Sequence, residues 1–247
     1  MSTPRPQRPP TWTPCTVEQV FPRLPRVRAA IAPPPERFGQ QRAVARGDVL
    51  FRAGDAFTAV WVPLEGMCMV IADDDDGSER IVGFHIPGEF IGLDGLARDR
   101  HRYRAEAIGP GRICQLPMAV LEHGMRVVPG LQMQFLGCLG RAAALDHDHL
   151  TLIHRENALE KVGCFLADLS ARLQAQALPH LEFELPMRRQ DIGAYLGIAL
   201  ETVSRCLTRL VDDGVIAVRG RRLRILDPCR LRHRQQGGRL WKRDAAG

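Results

Sequence analysis

Three side chains that can hydrogen-bond to the edges of base pairs fall close together near the C-terminal end of this chain. Glu201, Ser204 and Arg205 stand at i, i+3 and i+4, so a helix would present them on one face. An arginine there can donate two hydrogen bonds to guanine O6 and N7, and a glutamate can accept one from cytosine N4. The alternative is a surface ion pair between Glu201 and Arg205, worth roughly 0.3–0.5 kcal/mol.

The residues around these three predict the elements that would position them. A short helix is expected over about 189–196, and Gly197 ends it because glycine tolerates the left-handed conformation that a tight turn needs. A second helix follows over about 200–212, and two helices joined in this way form a helix-turn-helix. Two apolar runs within 215–226 flank a basic tip and predict a β-hairpin wing.

The distribution of charge agrees with a polyanion as the partner of this region. Residues 158–247 carry 16 basic and 10 acidic side chains, which accounts for the whole net charge of +6. A basic tail that only maintains solubility is the alternative. Arg209, one turn beyond Arg205, suits a phosphate better than a base. We expect seven DNA-contacting residues: Glu201, Thr202, Ser204, Arg205, Arg209, Arg189 and Arg221.

The sequence pattern of the N-terminal part of the chain predicts β-strands. Short apolar runs separated by glycine-containing turns predict a β-sandwich or small barrel, and we assign it to residues 40–125. Residues 1–39 are expected to be a partly disordered leader, since the first 14 residues contain five prolines and no signal-peptide pattern. Residues 230–247 are expected to be a basic, disordered tail.

Between these parts, residues 126–157 are predicted to form one long helix. Spacings that alternate between four and three residues mark a heptad stripe, which favours pairing with a second copy of the chain. The alternative packs the stripe against the chain's own β-domain. The candidate dimerisation residues are Leu131, Phe135, Ala142, Leu145, His149, Leu152 and Leu159.

Four stretches of this sequence resemble the Crp–Fnr superfamily of regulators, and its Fnr (fumarate–nitrate reduction regulator) branch in particular. They are DIGAYLG (191–197), ETVSR (201–205), GFHIPGEFIG (83–92) and LFRAGD (50–55). The resemblance implies an α+β fold with three parts. These are an N-terminal cyclic-nucleotide-binding-like β-roll (jelly roll), a long dimerisation helix, and a C-terminal winged helix-turn-helix domain, here 158–229.

The resemblance also implies a function. The residues matching Glu201, Ser204 and Arg205 in that branch read a TTGAT-type inverted repeat, one half per subunit of a homodimer. We therefore expect a sequence-specific DNA-binding transcription regulator, of activator type, that contacts RNA polymerase. Its signal would relate to oxygen, redox state or nitric oxide. No apolar run approaches the roughly 18 residues of a membrane span, and the scattered cysteines are typical of a reducing cytoplasm.

The family's cofactors fit this sequence poorly. In its oxygen-sensing members four cysteines hold a [4Fe-4S] cluster, and Cys15 and Cys114 match two of those ligands. Trp12 and Phe21 stand at flanking positions and cannot ligate iron, so the cluster is disfavoured. Cys114 is most simply a packed β-roll residue. Cyclic AMP is also disfavoured, because Leu93 occupies the position of the pocket's glutamate. Haem stays possible, with nominal ligands His85, His101, His147, His149 and His154.

A cupin-like metal-binding protein or enzyme is the alternative class. His85 and Glu89 have an H-x3-E spacing that could place two ligands at one metal ion. The usual motif begins with a His-x-His pair, however, and residue 83 is Gly83. No Ser-His-Asp set and no phosphate-binding loop occurs either, so we do not expect an enzyme.

Overall fold

A computed structural model describes residues 11–22, 37–73 and 77–233 of the chain. The chain divides into two compact units, residues 1–142 and 143–247. The parts of the predicted leader at 1–10 and 23–36, and residues 234–247 of the predicted tail, lie outside the described residues. No helix in the described part of the chain is both long and apolar enough to span a bilayer.

The first unit contains two four-stranded antiparallel sheets, as expected for a β-roll. One has the order β1-β2-β8-β4 and the other β3-β7-β5-β6. The elements are β1 (Thr13–Cys15), α1 (Val17–Val20), β2 (Gly39–Val44), β3 (Val49–Phe51), β4 (Ala59–Glu65), β5 (Cys68–Asp73), β6 (Glu79–His85), β7 (Arg104–Ala107), β8 (Gly111–Pro117) and α2 (Met118–Val127). A 3-10 turn, Leu93–Ala97, precedes β7.

Strand β4 of the first sheet is buried on both of its faces. Successive side chains of a strand point to opposite faces, so Trp61 of β4 joins the apolar layer between the two sheets, while Val60 and Val62 join a second layer. That second layer includes residues of α1, α2 and the start of the following helix. Burying each such side chain contributes about 1.5–3 kcal/mol, which holds these short helices to the roll.

Part of the expected leader is ordered against the roll. Strand β1 pairs with β2 so that Cys15 lies opposite Gly39. Val17, Val20 and Phe21 are buried in the second apolar layer. The prediction that the residues up to Pro14 are disordered is therefore wrong for Thr13 and Pro14. Prolines dominate this stretch and a three-residue strand shows no alternation, so tertiary packing decides its structure.

The single helix predicted over 126–157 is divided between two helices in the structure. Helix α2 ends at Val127, and α3 (Leu131–Ile153) begins after Gly130, whose φ of +82° suits a glycine. The side chain of Asn157 accepts hydrogen bonds from the backbone amides of Leu159 and Glu160, which starts α4. Leu159 therefore does not continue the stripe, although the spacing alone predicted that it would.

The second unit contains the predicted winged helix-turn-helix. Its elements are α4 (Ala158–Ala175), β9 (Glu182–Glu184), α5 (Arg189–Leu196), α6 (Leu200–Asp212), β10 (Ile216–Arg219), β11 (Arg222–Ile225) and α7 (Pro228–His233). The three strands form one antiparallel sheet in the order β10-β11-β9. The bounds of α5 and α6 are those predicted from the sequence. Helix α7 was not predicted, and it shows that the prediction of a disordered tail over 230–247 is wrong for residues 230–233.

Candidate nucleic-acid interface

The turn between α5 and α6 depends on two glycines. Gly197 ends α5 with φ +64°, in the left-handed region, and its backbone N–H donates to the Gly193 carbonyl. A Cβ at residue 193 would lie 2.6 Å from the carbonyl oxygen of Ile198. Only a glycine at 193 therefore lets the turn lie directly on α5, and this close packing fixes where α6 begins.

Helix α6 has one buried face and one exposed face. Val203, Leu207 and Leu210 are buried and attach the helix to the body of the second unit. Glu201, Ser204 and Arg205 are exposed on the other face. The sequence prediction that these three side chains project together is confirmed.

The polar groups on this face remain available to a partner. The Arg205 guanidinium donates through Nη2 to Oγ1 of Thr202 at 3.1 Å, which limits where the long side chain points. Among the described residues no ion pair joins Glu201 to Arg205, so the alternative of a self-satisfied surface pair is not realised. Glu201 can therefore accept, and Arg205 can still donate through its other N–H groups.

The wing presents arginines of two kinds. Arg222 and Arg224 pair with Glu182 of β9, at N–O distances of 3.5 and 4.0 Å. Arg219 and Arg221 flank Gly220 at the tip of the hairpin and are exposed. The tip therefore carries two positive charges that the neighbouring strand does not neutralise.

A groove lies between α6, the start of α5 and the wing. Arg189 and Ser204 line it together with Thr208 and Val218, and an adjoining cleft is lined by Arg188 and Arg221 among others. Burial lowers the pKa of the Arg189 guanidinium, which nevertheless stays charged at neutral pH. Arg188 and Thr208, which line these two clefts, were not among the contact residues predicted from the sequence. Their position beside predicted contact residues was the available signal.

The predicted dimerisation stripe faces the chain's own body. Leu131 and Phe135 are buried within the first unit, and Leu152 is buried within the second. Ala142 and Leu145 are half-buried. The ring of His149 stacks on Tyr195, with centroids 3.9 Å apart, and its Nε2 lies 2.8 Å from the Tyr195 carbonyl oxygen. The alternative, packing against the chain's own β-domain, therefore accounts for Leu131 and Phe135, whereas His149 and Leu152 pack within the second unit.

The opposite face of α3 carries a second stripe that the sequence prediction missed. Met133 and Leu150 are 70% and 55% exposed. The exposed positions again alternate between spacings of three and four residues: Met133, Leu136, Gly140, Ala143, His147, Leu150 and His154. His154 directly follows the last residue of the helix. Burial was the missing signal, because spacing alone does not tell a stripe that the chain covers from one that it leaves open.

A four-thiolate iron–sulfur cluster does not fit the first unit. Phe21 packs against Phe38 and Phe90, with ring centroids 6.1 and 5.4 Å away, and so occupies the core where a ligand was needed. The ring of Trp12 packs beside the ring of Trp61 in a tilted arrangement. Among the described residues no group of three or more His, Cys, Asp or Glu side chains is arranged to hold a metal ion.

Cys15 and Cys114 nevertheless lie in contact, and both are fully buried. The hydrogen bond from the Cys114 thiol, aided by the positive charge of Arg112, holds the pKa of Cys15 below its ordinary value despite burial. The same contact, together with burial, raises the pKa of Cys114.

Side chains pack closely against the segment that matches the family's nucleotide pocket. A Cβ at residue 95 would lie 2.3 Å from the ring of Phe57, and His101 stacks on Phe51 with centroids 3.8 Å apart. Burial raises the pKa of Asp94, but His101 and two backbone amides lower it further, so the carboxylate is ionised. An anionic side chain in a packed site repels a phosphate, and cyclic nucleotide does not fit.

The cupin alternative has no support in the structure. Glu89 Oε2 accepts a hydrogen bond from the backbone amide of Ile86 at 3.0 Å, as a turn-forming carboxylate does. His85 and Glu89 also belong to no group of three potential metal ligands within the described part of the chain.

Comparison with known proteins agrees with this geometry. Residues 41–126 match the cyclic nucleotide-binding domain family, and residues 160–234 match the Crp-like helix-turn-helix domain family. The transcriptional activator protein Anr of Pseudomonas protegens is 36% identical over 190 residues, 77% of this chain and 78% of Anr. The anaerobic regulatory protein of Haemophilus influenzae is 32% identical over 188 residues, 76% of this chain and 73% of that protein. The structure of FixK2 from Bradyrhizobium japonicum aligns with a TM-score of 0.69 at 27% identity, over 79% of this chain and 96% of FixK2. This chain therefore belongs to the Crp–Fnr family of DNA-binding transcription regulators, in its Fnr branch.

Proposed function

We propose that this regulator binds a TTGAT-type inverted repeat as a homodimer, in the cytoplasm, and acts on promoters through RNA polymerase. The observation that carries the proposal is the exposed face of α6, where Glu201, Ser204 and Arg205 project together. The N-terminal end of a recognition helix is the part that contacts base edges in the major groove.

Each side chain of this face suits a different contact. The Arg205 guanidinium can bind guanine O6 and N7 with two hydrogen bonds, and the contact with Thr202 reduces the number of orientations lost on binding. Glu201 can accept from cytosine N4, and Ser204 can donate or accept. Arg209, Arg189 and Arg221 would bind phosphates, which sets the register of the helix in the groove.

The second stripe of α3 supports the homodimer. An inverted repeat places two recognition helices one DNA turn apart, about 34 Å, so the protein needs matching two-fold symmetry. The exposed stripe offers apolar side chains at heptad spacing, and Gly140 and Ala143 at its centre let two helices approach closely. We therefore assign the dimer contact to this stripe rather than to Leu131, Phe135 and Leu152.

The signal would relate to oxygen, redox state or nitric oxide. Relatives of this chain are named for anaerobic regulation and for fumarate and nitrate reduction, which supports that class of signal. The first unit, which contains the β-roll, would receive the signal.

Binding of the full-length chain to a labelled duplex tests the proposal. The wild type should prefer a TTGAT inverted repeat over the same duplex with its G·C pairs replaced. Arg205→Ala should lose about 1–3 kcal/mol of that preference at one base pair per half-site. The matched control, Arg98→Ala, removes an exposed arginine of the first unit and should leave the preference unchanged. Full preference in Arg205→Ala would contradict the proposed role of this residue.

A further inference from the structure

Cys15 and Cys114 approach each other across an intervening strand. Cys15 belongs to the edge strand β1 and Cys114 to β8, and β2 lies between these two strands. Gly39 of β2 lies opposite Cys15, and a Cβ on Gly39 would be 2.9 Å from Sγ of Cys114. The absence of a side chain at residue 39 therefore leaves the space in which the two sulfur atoms meet.

This arrangement does not suit a direct disulfide. Neighbouring strands lie about 4.8 Å apart, so strands separated by a third are about 9.6 Å apart. The Cα atoms of a disulfide are usually less than about 7 Å apart. Because β2 is hydrogen-bonded to both β1 and β8, the two cysteines cannot close that gap without a break in the sheet.

A single metal ion between the two sulfur atoms would span a longer distance than a disulfide bond does. A metal–thiolate bond is about 2.3 Å long, so a cation between two thiolates holds the sulfurs about 4.6 Å apart. A structural zinc ion and an iron–sulfur cluster are each held by four protein ligands. Among the described residues no third ligand lies with this pair. Soft thiolate ligands select Cu(I), which accepts two of them in a linear arrangement.

We propose that Cys15 and Cys114 form a two-coordinate site for one Cu(I) ion. The site would connect the edge strand β1 to β8, and it is independent of the DNA-binding function proposed above. When the ion binds, the protons on the two thiols are released to solvent, and the two thiolates with Cu⁺ carry a net charge of −1. No electron is transferred. Arg112, on β8 near this pair, reduces the electrostatic cost of the negative charge, although it also pairs with Glu65.

Access requires only a local opening. Both sulfur atoms are buried, but β1 is three residues long and pairs with the sheet through β2 alone. Local opening costs less free energy than global unfolding, so transient separation of β1 from β2 would admit the ion.

Competition for copper tests the proposal. Reduced full-length protein, kept anaerobic, is titrated with Cu(I) in the presence of bicinchoninate, whose Cu(I) complex is coloured. The wild type should withhold one equivalent from the chelator, and Cys15→Ser and Cys114→Ser should each abolish this retention. The matched control Cys68→Ser, at a buried cysteine of β5, should retain it. Gly39→Ala should weaken retention while both thiols remain.

X-ray absorption of the wild-type protein loaded with one equivalent of Cu(I) tests the coordination without a variant. Two sulfur neighbours at a single distance are expected. Three or more sulfur neighbours would overturn the site, and so would full retention of copper in both serine variants. A Cys15–Cys114 disulfide formed on mild oxidation with diamide, in protein that withholds no copper when reduced, would also overturn it.

Discussion

At the scale of single residues, the arginines of the second unit differ in whether an acidic side chain already pairs with them. Arg222 and Arg224 share the Glu182 carboxylate, whereas Arg219 and Arg221 extend from the wing tip. A phosphate would have to compete with Glu182 for the first two, but not for the second two. Arginines that look equivalent in the sequence therefore differ in the structure, because only some of them lie next to an acidic side chain.

We predict that Arg221→Ala weakens DNA binding without changing sequence preference. A phosphate contact carries no sequence information, so affinity for the inverted repeat and for a scrambled duplex should fall together. The slope of log K against log salt concentration should decrease in magnitude by about 1, because one fewer counterion is released. Titrations at several salt concentrations measure both effects.

Arg222→Ala is the matched control for this prediction, since it removes an arginine that is already paired. Its effect on the salt slope should be smaller than that of Arg221→Ala. A loss of preference for the inverted repeat in Arg221→Ala would instead indicate a base contact at the wing.

At the scale of elements, one buried lysine joins the ends of two helices. Lys161 of α4 donates through Nζ to the carbonyl oxygens of Ile153 at 2.8 Å and Leu196 at 3.2 Å. These are the last residues of α3 and α5, where unpaired carbonyl groups and the helix dipole favour a positive charge. The contact fixes the C-terminal end of α3 against the first helix of the helix-turn-helix.

We predict that Lys161→Met destabilises the protein by about 1–3 kcal/mol. Methionine fills a similar volume, but it leaves two buried carbonyl groups without their donor. Urea denaturation followed by circular dichroism measures the loss. Gln174→Met, at an exposed position of the same helix, is the control and should change stability little. Equal stability of Lys161→Met and the wild type would show that water replaces the ammonium group.

The element scale also shows which parts of the structure the sequence could predict. Helices α5 and α6 were predicted with correct bounds because a glycine turn and a regular apolar face mark them locally. The end of α3 at Ile153 was predicted four residues too late, at 157, because the apolar spacing continues past the end of the helix. Strand β1 was also missed, since its formation depends on pairing with β2, 24 to 28 residues further along the chain.

At the scale of the whole molecule, the sequence predicted the fold class and the exposed polar face of α6, but not which side of α3 is exposed. Two stripes with the same spacing run along this helix. Only tertiary packing determines that the stripe containing Leu152 is covered by its own protomer and that the stripe containing Leu150 is exposed. The choice between self-packing and a partner is a property of the folded chain, so a heptad pattern leaves it open.

We predict that Leu150→Asp converts the dimer into monomers that bind a single half-site weakly. A carboxylate in the centre of an apolar helix pair would be desolvated without a partner, and the two copies would repel each other. Light scattering after size-exclusion chromatography measures the mass, and DNA titration measures the affinity. Gln134→Asp adds the same charge to α3 outside the exposed stripe and should leave a dimer. Leu152→Asp is not a suitable variant, because Leu152 is buried and its loss would destabilise the protomer itself. A Leu150→Asp protein that stays dimeric would place the contact between copies elsewhere on the molecule.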